Sequence, residues 1–311
     1  MKVKTTATVV LVPNSMGAAK KGTCMQKYAL LTDSSADLPH QMLEELDIGV
    51  LQLNVTLEGE EPCPNDQVDV KAFYGALREK KSATTSTVSI ESFLAAMEPI
   101  LADGRDVLYL GFSSGLSGTY NAGFVAAREL AEKYPERKIY TVDTLCASLG
   151  EGLLVYTVAC MRRDGADIDT VRDFVEEQKR NLCHWFTVDD LFFLKRGGRV
   201  SAATAVMGSL LAIKPVMHVD NDGKLINVQK AHGRKDAIHQ LFAKIRDTAI
   251  NVSEQTVFIS HGDCLEDAQY LAERIQNELG VKRVVIDYVG PVIGAHSGPG
   301  TLALFFFGTQ R

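Results

Sequence analysis

The stretch Asp106–Thr119, DVLYLGFSSGLSGT, decides the fold, because it joins three local patterns within a few residues. Val107–Leu110 is an apolar run with the length and composition of a buried strand. Gly111–Gly118 then contains three serines and three glycines in eight residues, and a helical pattern begins at Thr119. A strand, a small-residue loop and a helix start predict an open α/β sheet with a ligand site at the end of this strand.

Two interpretations of the Gly111–Gly118 loop are possible from its residues. Serine and glycine are typical of tight turns and of helix caps, so the loop could be purely structural. The free backbone N–H groups of a helix start, placed beside several hydroxyls, also form a site for an anionic or oxygen-rich ligand. The number of serines and glycines favours the ligand site.

Composition restricts the classes of protein that the chain can belong to. The 311 residues are 46% hydrophobic, and no apolar run reaches the length of about 18 residues that a membrane-spanning helix needs. The formal net charge of −6 argues against a nucleic-acid-binding protein. The six cysteines are scattered, without zinc or disulfide spacing, which favours a reducing, cytoplasmic compartment.

The alternation of strand and helix patterns divides the chain into three parts. Residues 1–27 form an N-terminal extension, and residues 28–184 form an α/β domain with a parallel sheet and right-handed crossovers. The regular alternation of strands and helices changes over residues 185–311, and this pattern predicts an α+β domain. Its hairpin, Lys214–Val219 with Lys224–Lys230, closes around the turn signal Asp220–Gly223. We expect the two domains to pack closely.

Four segments carry the residue types of a binding site, and we predict each of them to be a loop. They are the hydroxyl-rich Thr84–Ser89, the Gly111–Gly118 loop, the basic Lys195–Arg199 and the glycine-rich Gly290–Gly300. Ser201–Leu211 is predicted to be a helix after the basic segment.

Two of these segments carry the more specific chemical signals. His296 stands among glycines, without the packing partners of a core histidine, so a functional role is favoured over a structural one. Arg199 follows two glycines and is either part of a solvated basic loop or a docking point for phosphate or an acidic partner. Composition alone does not separate these two interpretations of Arg199.

A catalytic alternative follows from one short pattern. Gly111–Gly115 matches G-x-S-x-G between a strand and a helix, as in the nucleophile elbow of α/β-hydrolases. The chain order Ser113, Asp263, His296 also suits such a triad. However, few strands precede this elbow, and a short pattern of Gly and Ser arises easily by chance. A serine hydrolase acting on acyl esters is therefore the second hypothesis.

Taken together in chain order, five motifs resemble the DegV family, which includes the fatty-acid-binding subunits of the bacterial fatty-acid kinase. The resemblance covers about Tyr28 to the C-terminus. The motifs are DSSADLP (33–39), TSTVS (85–89), SSGLSGT (113–119), GGRV (197–200) and GAHSGPG (294–300). Thr87-Val88 stands where the family has Gln-Pro, and residues 1–26 lie outside the family pattern.

The resemblance implies a carrier that holds one long-chain fatty acid between its domains and needs no cofactor of its own. A separate ATP-dependent kinase would phosphorylate the bound acid for phospholipid synthesis. Carried over by position, the groups that bind the carboxylate are Thr85, Ser114 and His296. Ser113 and Thr84 are their neighbours.

Three further assignments accompany this carrier hypothesis. Arg199 matches a family arginine thought to serve the acyl-phosphate or the kinase. Ser117 is expected to cap the helix that follows it. The tunnel walls are expected to come from apolar residues of both domains, namely Leu153, Leu154, Val158, Leu210, Leu211, Ile213, Phe258 and Ile293.

Overall fold

A computed structural model describes residues 27–201 and 213–311. The first part contains β1 (Tyr28–Asp33), α1 (His40–Glu45), β2 (Ile48–Leu51), β3 (Asn54–Leu57), β4 (Cys63–Pro64), α2 (Val70–Arg78), β5 (Ala83–Ser86), α3 (Ile90–Ala102), β6 (Asp106–Gly111), α4 (Thr119–Lys133), β7 (Ile139–Asp143), α5 (Leu149–Arg163), α6 (Ile168–Gln178), β8 (Leu182–Thr187) and α7 (Phe192–Arg196). The second contains β9 (Ile213–Val219), β10 (Leu225–His232), α8 (Arg234–Thr248), β11 (Thr256–His261), α9 (Leu265–Leu279), β12 (Arg283–Tyr288), α10 (Pro291–Ser297) and β13 (Leu302–Phe307).

The predicted α/β architecture is confirmed. Four parallel strands form one sheet in the order β2-β1-β6-β7, and the apolar run of the deciding stretch is the buried strand β6. The direction of winding reverses between β1 and β6. Ligand clefts of open α/β sheets form at such a point, outside the carboxyl ends of the strands.

The second large sheet is mixed and has the order β10-β9-β8-β13-β11-β12. Its β9–β10 pair is the predicted hairpin, with Val219 opposite Leu225 next to the turn. Helix α5 packs on strand β6 of the parallel sheet and on β8, β11 and β13 of the mixed sheet. Almost every residue of α5 is buried, because the helix is covered by a sheet on each side.

Two of the predicted loops are regular structure. Thr84 to Ser86 belong to β5, which pairs antiparallel with β3 in a small third sheet, as the β-branched threonines favour. Gly290–Gly300 contains helix α10, which begins at Pro291 and ends before Gly298, where φ is +79°. The glycine pattern was misleading here, because Gly294 provides room for the Tyr74 hydroxyl, which a Cβ would approach to 2.6 Å.

Several predicted boundaries were also wrong. The single strand predicted over Val50–Val55 is two strands, β2 and β3. The helix predicted to run from Ile168 to Leu182 ends at Gln178, and β8 begins at Leu182 rather than Trp185. The basic segment is partly helical, because Lys195 and Arg196 end α7. The helix predicted at Ser201–Leu211 lies almost wholly outside the described residues.

The carboxyl ends of β1 and β6 are joined by one buried carboxylate. Asp33 has no exposed surface and accepts hydrogen bonds from the Tyr109 hydroxyl at 2.7 Å and the Phe112 backbone N–H at 3.1 Å. The Ser35 N–H donates to its other oxygen at 3.0 Å. Burial raises the pKa of Asp33, and these hydrogen bonds partly offset that rise. Asp33 thereby sets the position at which the Gly111–Gly118 loop leaves the sheet.

We expect Asp33→Ala to lower the free energy of unfolding by about 3 kcal/mol or more, because it leaves the Tyr109 hydroxyl and the Phe112 N–H buried without an acceptor. Asp33→Asn keeps one acceptor oxygen and should cost markedly less. Urea unfolding of the two variants beside the wild-type protein tests this. Equal stability of Asp33→Ala and wild type would contradict the assigned role.

Candidate functional site

A cavity lies where the loop after β6, the β9–β10 hairpin, α7 and α10 meet. The space that the centre of a water molecule can occupy in it is about 80 Å³, which is less than the whole space between the walls because that centre cannot approach the wall atoms closely. Its wall is mainly apolar, with Leu53, Phe112, Leu116, Ala147, Phe186, Leu194, Val219, Leu225, Val289, Val292, Ile293, Ala303 and Phe305. The polar lining residues are Thr85, Ser117, Ser148, His184, Arg199, Ser260, His296, Ser297 and Thr301.

Thr85 and His296 meet in the wall of this cavity. The Thr85 hydroxyl and His296 Nε2 are 2.9 Å apart and hydrogen-bonded. Side chains alternate across a strand, so Thr85 of β5 faces the cavity while Thr84 and Ser86 are exposed. The predicted pair Thr85 and His296 is therefore brought together, and Thr84 lies outside the cavity.

The His296 ring is held in its neutral form. Burial lowers its pKa to about 4, and the positive charges of Arg199 and Arg196 contribute in the same direction. Within the described part of the chain, His296 Nδ1 is buried and has no hydrogen-bond partner. Gly197 allows the ring to lie close, since a Cβ on Gly197 would be 2.2 Å from Nδ1. The neutral imidazole therefore has Nε2 bonded to Thr85 and Nδ1 packed against Gly197.

Arg199 lies in the cavity wall and is only partly exposed, whereas Lys195 and Arg196 are exposed. Its Nε and Nη2 donate to the Leu116 carbonyl at 3.2 and 3.0 Å, and its Nη1 donates to the Gly197 carbonyl. Burial lowers the pKa of this guanidinium. The side chain ties the segment after α7 to the Gly111–Gly118 loop, immediately before Ser117.

The three serines of the Gly111–Gly118 loop face different surroundings. Ser113 is fully buried, and its hydroxyl donates to the Gly223 carbonyl at 2.8 Å. Ser114 is exposed and does not line the cavity. Ser117 does line it, and the Ser117 and Thr119 hydroxyls are 3.0 Å apart. The Thr119 N–H also donates to the Ser117 hydroxyl at 3.2 Å, so Ser117 combines a local cap with a place in the cavity wall.

The hairpin turn covers this loop. A Cβ on Gly115 would be 2.8 Å from the Asp222 carbonyl oxygen, so glycine lets the two backbones approach. Arg311 holds the turn in place from the other side, because its Nη1 donates to the Asp220 carbonyl at 3.1 Å and to the Leu145 carbonyl at 2.7 Å. Ser113 and Arg311 thus both fix the hairpin over the cavity.

The residues of the hydrolase hypothesis are not brought together. Asp263 pairs with Arg78 at the surface, and the hydroxyl of Ser113 is directed to the Gly223 carbonyl. His296 bonds to Thr85 instead of either residue. Nothing in this arrangement supports a nucleophile, base and acid acting in sequence.

The composition of the cavity wall differs from the sequence expectation. Of the six predicted wall residues that the structure describes, only Ile293 lines the cavity, whereas Leu153, Leu154, Val158 and Phe258 belong to a core cluster. Leu210 and Leu211 lie outside the described residues, and Ile213 does not line the cavity. An apolar residue looks the same in sequence whether it packs against neighbours or faces a void.

Sequence analysis also missed several polar residues of the wall. His184, whose place in a strand pattern indicates a surface or packing residue, lines the cavity. Both of its ring nitrogens are used, because Nε2 accepts from the Ala147 N–H at 3.3 Å and Nδ1 is bonded to the Leu182 carbonyl at 3.1 Å. Nothing in the sequence indicates a role in the site for Ser148 and Ser260, apart from their positions near the end of a helix or strand.

Metal sites and membrane-spanning helices are both absent from the described residues, 27–201 and 213–311. These residues contain no group of histidine, cysteine, aspartate and glutamate side chains suited to a metal ion. Their helices are all too short or too polar to cross a membrane.

The molecule is thus an α/β protein with two large sheets and a mainly apolar cavity. The DegV family model, described as an uncharacterised protein of the DegV family, matches residues 27–309. The chain belongs to the DegV family. A DegV domain-containing protein of Clostridium perfringens is 49% identical over 289 residues, which are 92% of this chain and 99% of that protein.

Solved structures of the same family share the fold. A Thermus thermophilus DegV family protein described by its fatty-acid binding is 29% identical, with a TM-score of 0.83 over 91% of this chain and 99% of that one. DegV of Bacillus subtilis, described as a fatty acid binding protein, is 29% identical, with a TM-score of 0.78 over 90% and 98%.

The closeness of Gly197 to His296 is testable by a double-mutant cycle. Gly197→Ala should destabilise the protein by about 1–3 kcal/mol, because its new methyl group overlaps the His296 ring. In a His296→Ala background the same substitution should cost much less, since the opposing atoms are absent. Urea unfolding of the four proteins gives both costs, and equal costs would contradict the contact.

Proposed function

We propose that this protein binds one long-chain fatty acid in the cavity and presents its carboxylate to a separate kinase for acyl-phosphate formation. The observation that carries the proposal is a mainly apolar cavity whose wall also holds the Thr85 and Ser117 side chains, the His296 imidazole and the Arg199 guanidinium. The fatty-acid binding described for the Thermus thermophilus and Bacillus subtilis relatives supports it.

The carboxylate would be held by Thr85, Ser117 and His296. Ser117 takes the place that sequence analysis gave to Ser114, because Ser117 lines the cavity and Ser114 is exposed. The Arg199 guanidinium bonds the carbonyl directly before Ser117, so the groups converge. Ser113 holds the loop against the hairpin, because its hydroxyl donates to the Gly223 carbonyl. Thr84 precedes Thr85 in strand β5.

The energetics favour such a ligand. Burying about 14 methylene groups contributes on the order of 11 kcal/mol before ordering costs, at about 0.8 kcal/mol each. Without hydrogen-bond donors, the desolvation of the carboxylate would offset much of this gain. Hydroxyls and a neutral histidine supply donors without a fixed counter-charge, so the carboxyl group stays available as a reactant. The carrier itself then needs no nucleophile and no cofactor, since the kinase would bring ATP.

Native mass spectrometry of the purified protein tests the binding function directly. We expect an adduct that corresponds to a long-chain fatty acid, and its loss after organic extraction. Thr85→Val, which keeps the shape of the side chain and removes the hydroxyl, should lower the bound fraction. A protein that carries no fatty acid, and that takes up none after delipidation, would contradict the proposal.

The Gly111–Gly118 loop provides a matched pair of variants for the site. Ser117→Ala should weaken fatty-acid binding roughly tenfold to 150-fold, because a hydrogen bond to a charged group is worth about 1.5–3 kcal/mol. Ser114→Ala is the control and should bind normally, since that side chain is exposed. A titration and a thermal melt of both variants decide between them. The reverse pattern would restore the carboxylate role predicted for Ser114.

Arg199 is proposed to serve the acyl-phosphate or the kinase partner. Arg199→Ala should then leave fatty-acid binding nearly intact while kinase-dependent phosphorylation falls sharply, because guanidinium recognition of phosphate is not readily replaced. Binding and phosphorylation are measured on the same delipidated and reloaded protein. Equal losses in both would place Arg199 among the groups that bind the carboxylate.

A further inference from the structure

The cavity contains polar groups beyond those proposed for the carboxylate. The hydroxyls of Ser148, Ser260, Ser297 and Thr301 belong to its wall. They come from the start of α5, the end of β11, the end of α10 and the start of β13. An unsubstituted acyl chain cannot form hydrogen bonds with these hydroxyls. A hydroxyl that is bonded within the protein therefore has a structural role, whereas an unpaired hydroxyl can bond to a ligand.

Ser297 is the unpaired member of this set. The residue is 5% exposed, and within the described part of the chain its hydroxyl has no hydrogen-bond partner. It lies one helical turn after Ile293 on α10, and both residues line the cavity. Burying an unsatisfied hydroxyl is unfavourable, so we expect this hydroxyl to bond to a polar group of a ligand in the cavity.

Ser148 and Ser260 supply the complementary hydrogen-bonding capacity. The Ser148 hydroxyl donates to Asp37 Oδ2 at 2.5 Å and lies 3.1 Å from the Ser260 hydroxyl. Either serine can be the donor in this bond, and in both arrangements the Ser260 hydroxyl keeps at least one free lone pair. Ser148 adopts φ 52° and ψ −145°, a strained conformation for a residue with a side chain.

The register of the sheet places these groups in one section of the cavity. Ser260 pairs with Ala303, which also lines the cavity, two residues from Thr301. The Thr301 hydroxyl, at 3.1 Å from the Ser297 carbonyl and 2.8 Å from the Gly298 carbonyl, has its proton occupied locally. A free donor on Ser297 and a free acceptor on Ser260 thus line the same section. This combination matches a ligand hydroxyl, which both accepts and donates.

We propose that the preferred ligand is a long-chain fatty acid with a hydroxyl group on its acyl chain, recognised by Ser297 and Ser260. The proposal rests on the fatty-acid carrier function and specifies its substrate class. A ligand hydroxyl would accept from Ser297 and donate to Ser260, which satisfies both groups without a carboxylate. Unsubstituted acids still bind through the apolar wall but leave Ser297 unpaired.

Binding to the delipidated full chain, measured by displacement of a fluorescent fatty acid, tests the proposal. Two pairs of ligands are compared, hexadecanoate with 3-hydroxyhexadecanoate and octadecanoate with 10-hydroxyoctadecanoate. We expect the hydroxy acid of at least one pair to bind about three- to tenfold more tightly, the range of one neutral hydrogen bond. Ser297→Ala should remove this preference, and Ser297→Thr should retain it.

Three results would overturn the proposal. They are the absence of a hydroxyl preference in the wild-type protein, a preference that persists in Ser297→Ala, and an equal loss of both members of a pair in Ser297→Ala. The last would assign Ser297 to the carboxylate. Failure of the carrier function is a separate observation, because then neither the plain nor the hydroxylated acids bind wild-type protein. Thermal melts confirm that each variant is folded.

Discussion

The hydrogen bonds to the buried Asp33 carboxylate are the constraint on which the rest of the site depends. Asp33 ends β1, and its oxygens bind Tyr109 of β6 and the backbone of Phe112, the first residue past that strand. One side chain therefore joins the two loops on either side of the point where the sheet reverses its winding. The glycine and serine loop can be short and irregular because its origin is fixed by a buried, fully bonded group.

The site itself is assembled from segments that are distant in the chain. Thr85, Ser117, Arg199 and His296 come from a strand, a loop, the end of a short helix and another helix. Small residues make this convergence possible, since Gly197 admits the His296 ring and Gly115 admits the hairpin backbone. The hairpin, held by Ser113 and Arg311, then closes the cavity. Burial keeps the histidine neutral, and the Arg199 guanidinium is bonded to the Leu116 and Gly197 carbonyls.

Much of the architecture was predictable from local patterns, and part of the site was as well. The β6 strand, the helix start at Thr119 and the hairpin have short-range signatures, and the segments that carry Thr85 and His296 were singled out by their residue types. The errors share one cause, which is that a local pattern of residue types does not show the tertiary contacts that those residues make. Glycines at 290–300 indicated a loop, whereas Gly294 is needed inside α10 for its contact with Tyr74. Threonines at 84–85 indicated a loop, but they lie in strand β5, which places Thr85 in the cavity wall.

The sequence by itself determined the elements, the α/β class and the segments that carry polar chemistry, because propensity, periodicity and turn residues act over a few neighbouring positions. Only the tertiary structure decided which side chain of each segment faces the cavity. Ser113, Ser114 and Ser117 are equivalent in composition, yet one bonds the hairpin, one faces solvent and one lines the cavity. That choice depends on the hairpin packing over the loop, a contact between residues more than a hundred positions apart, which no local pattern encodes.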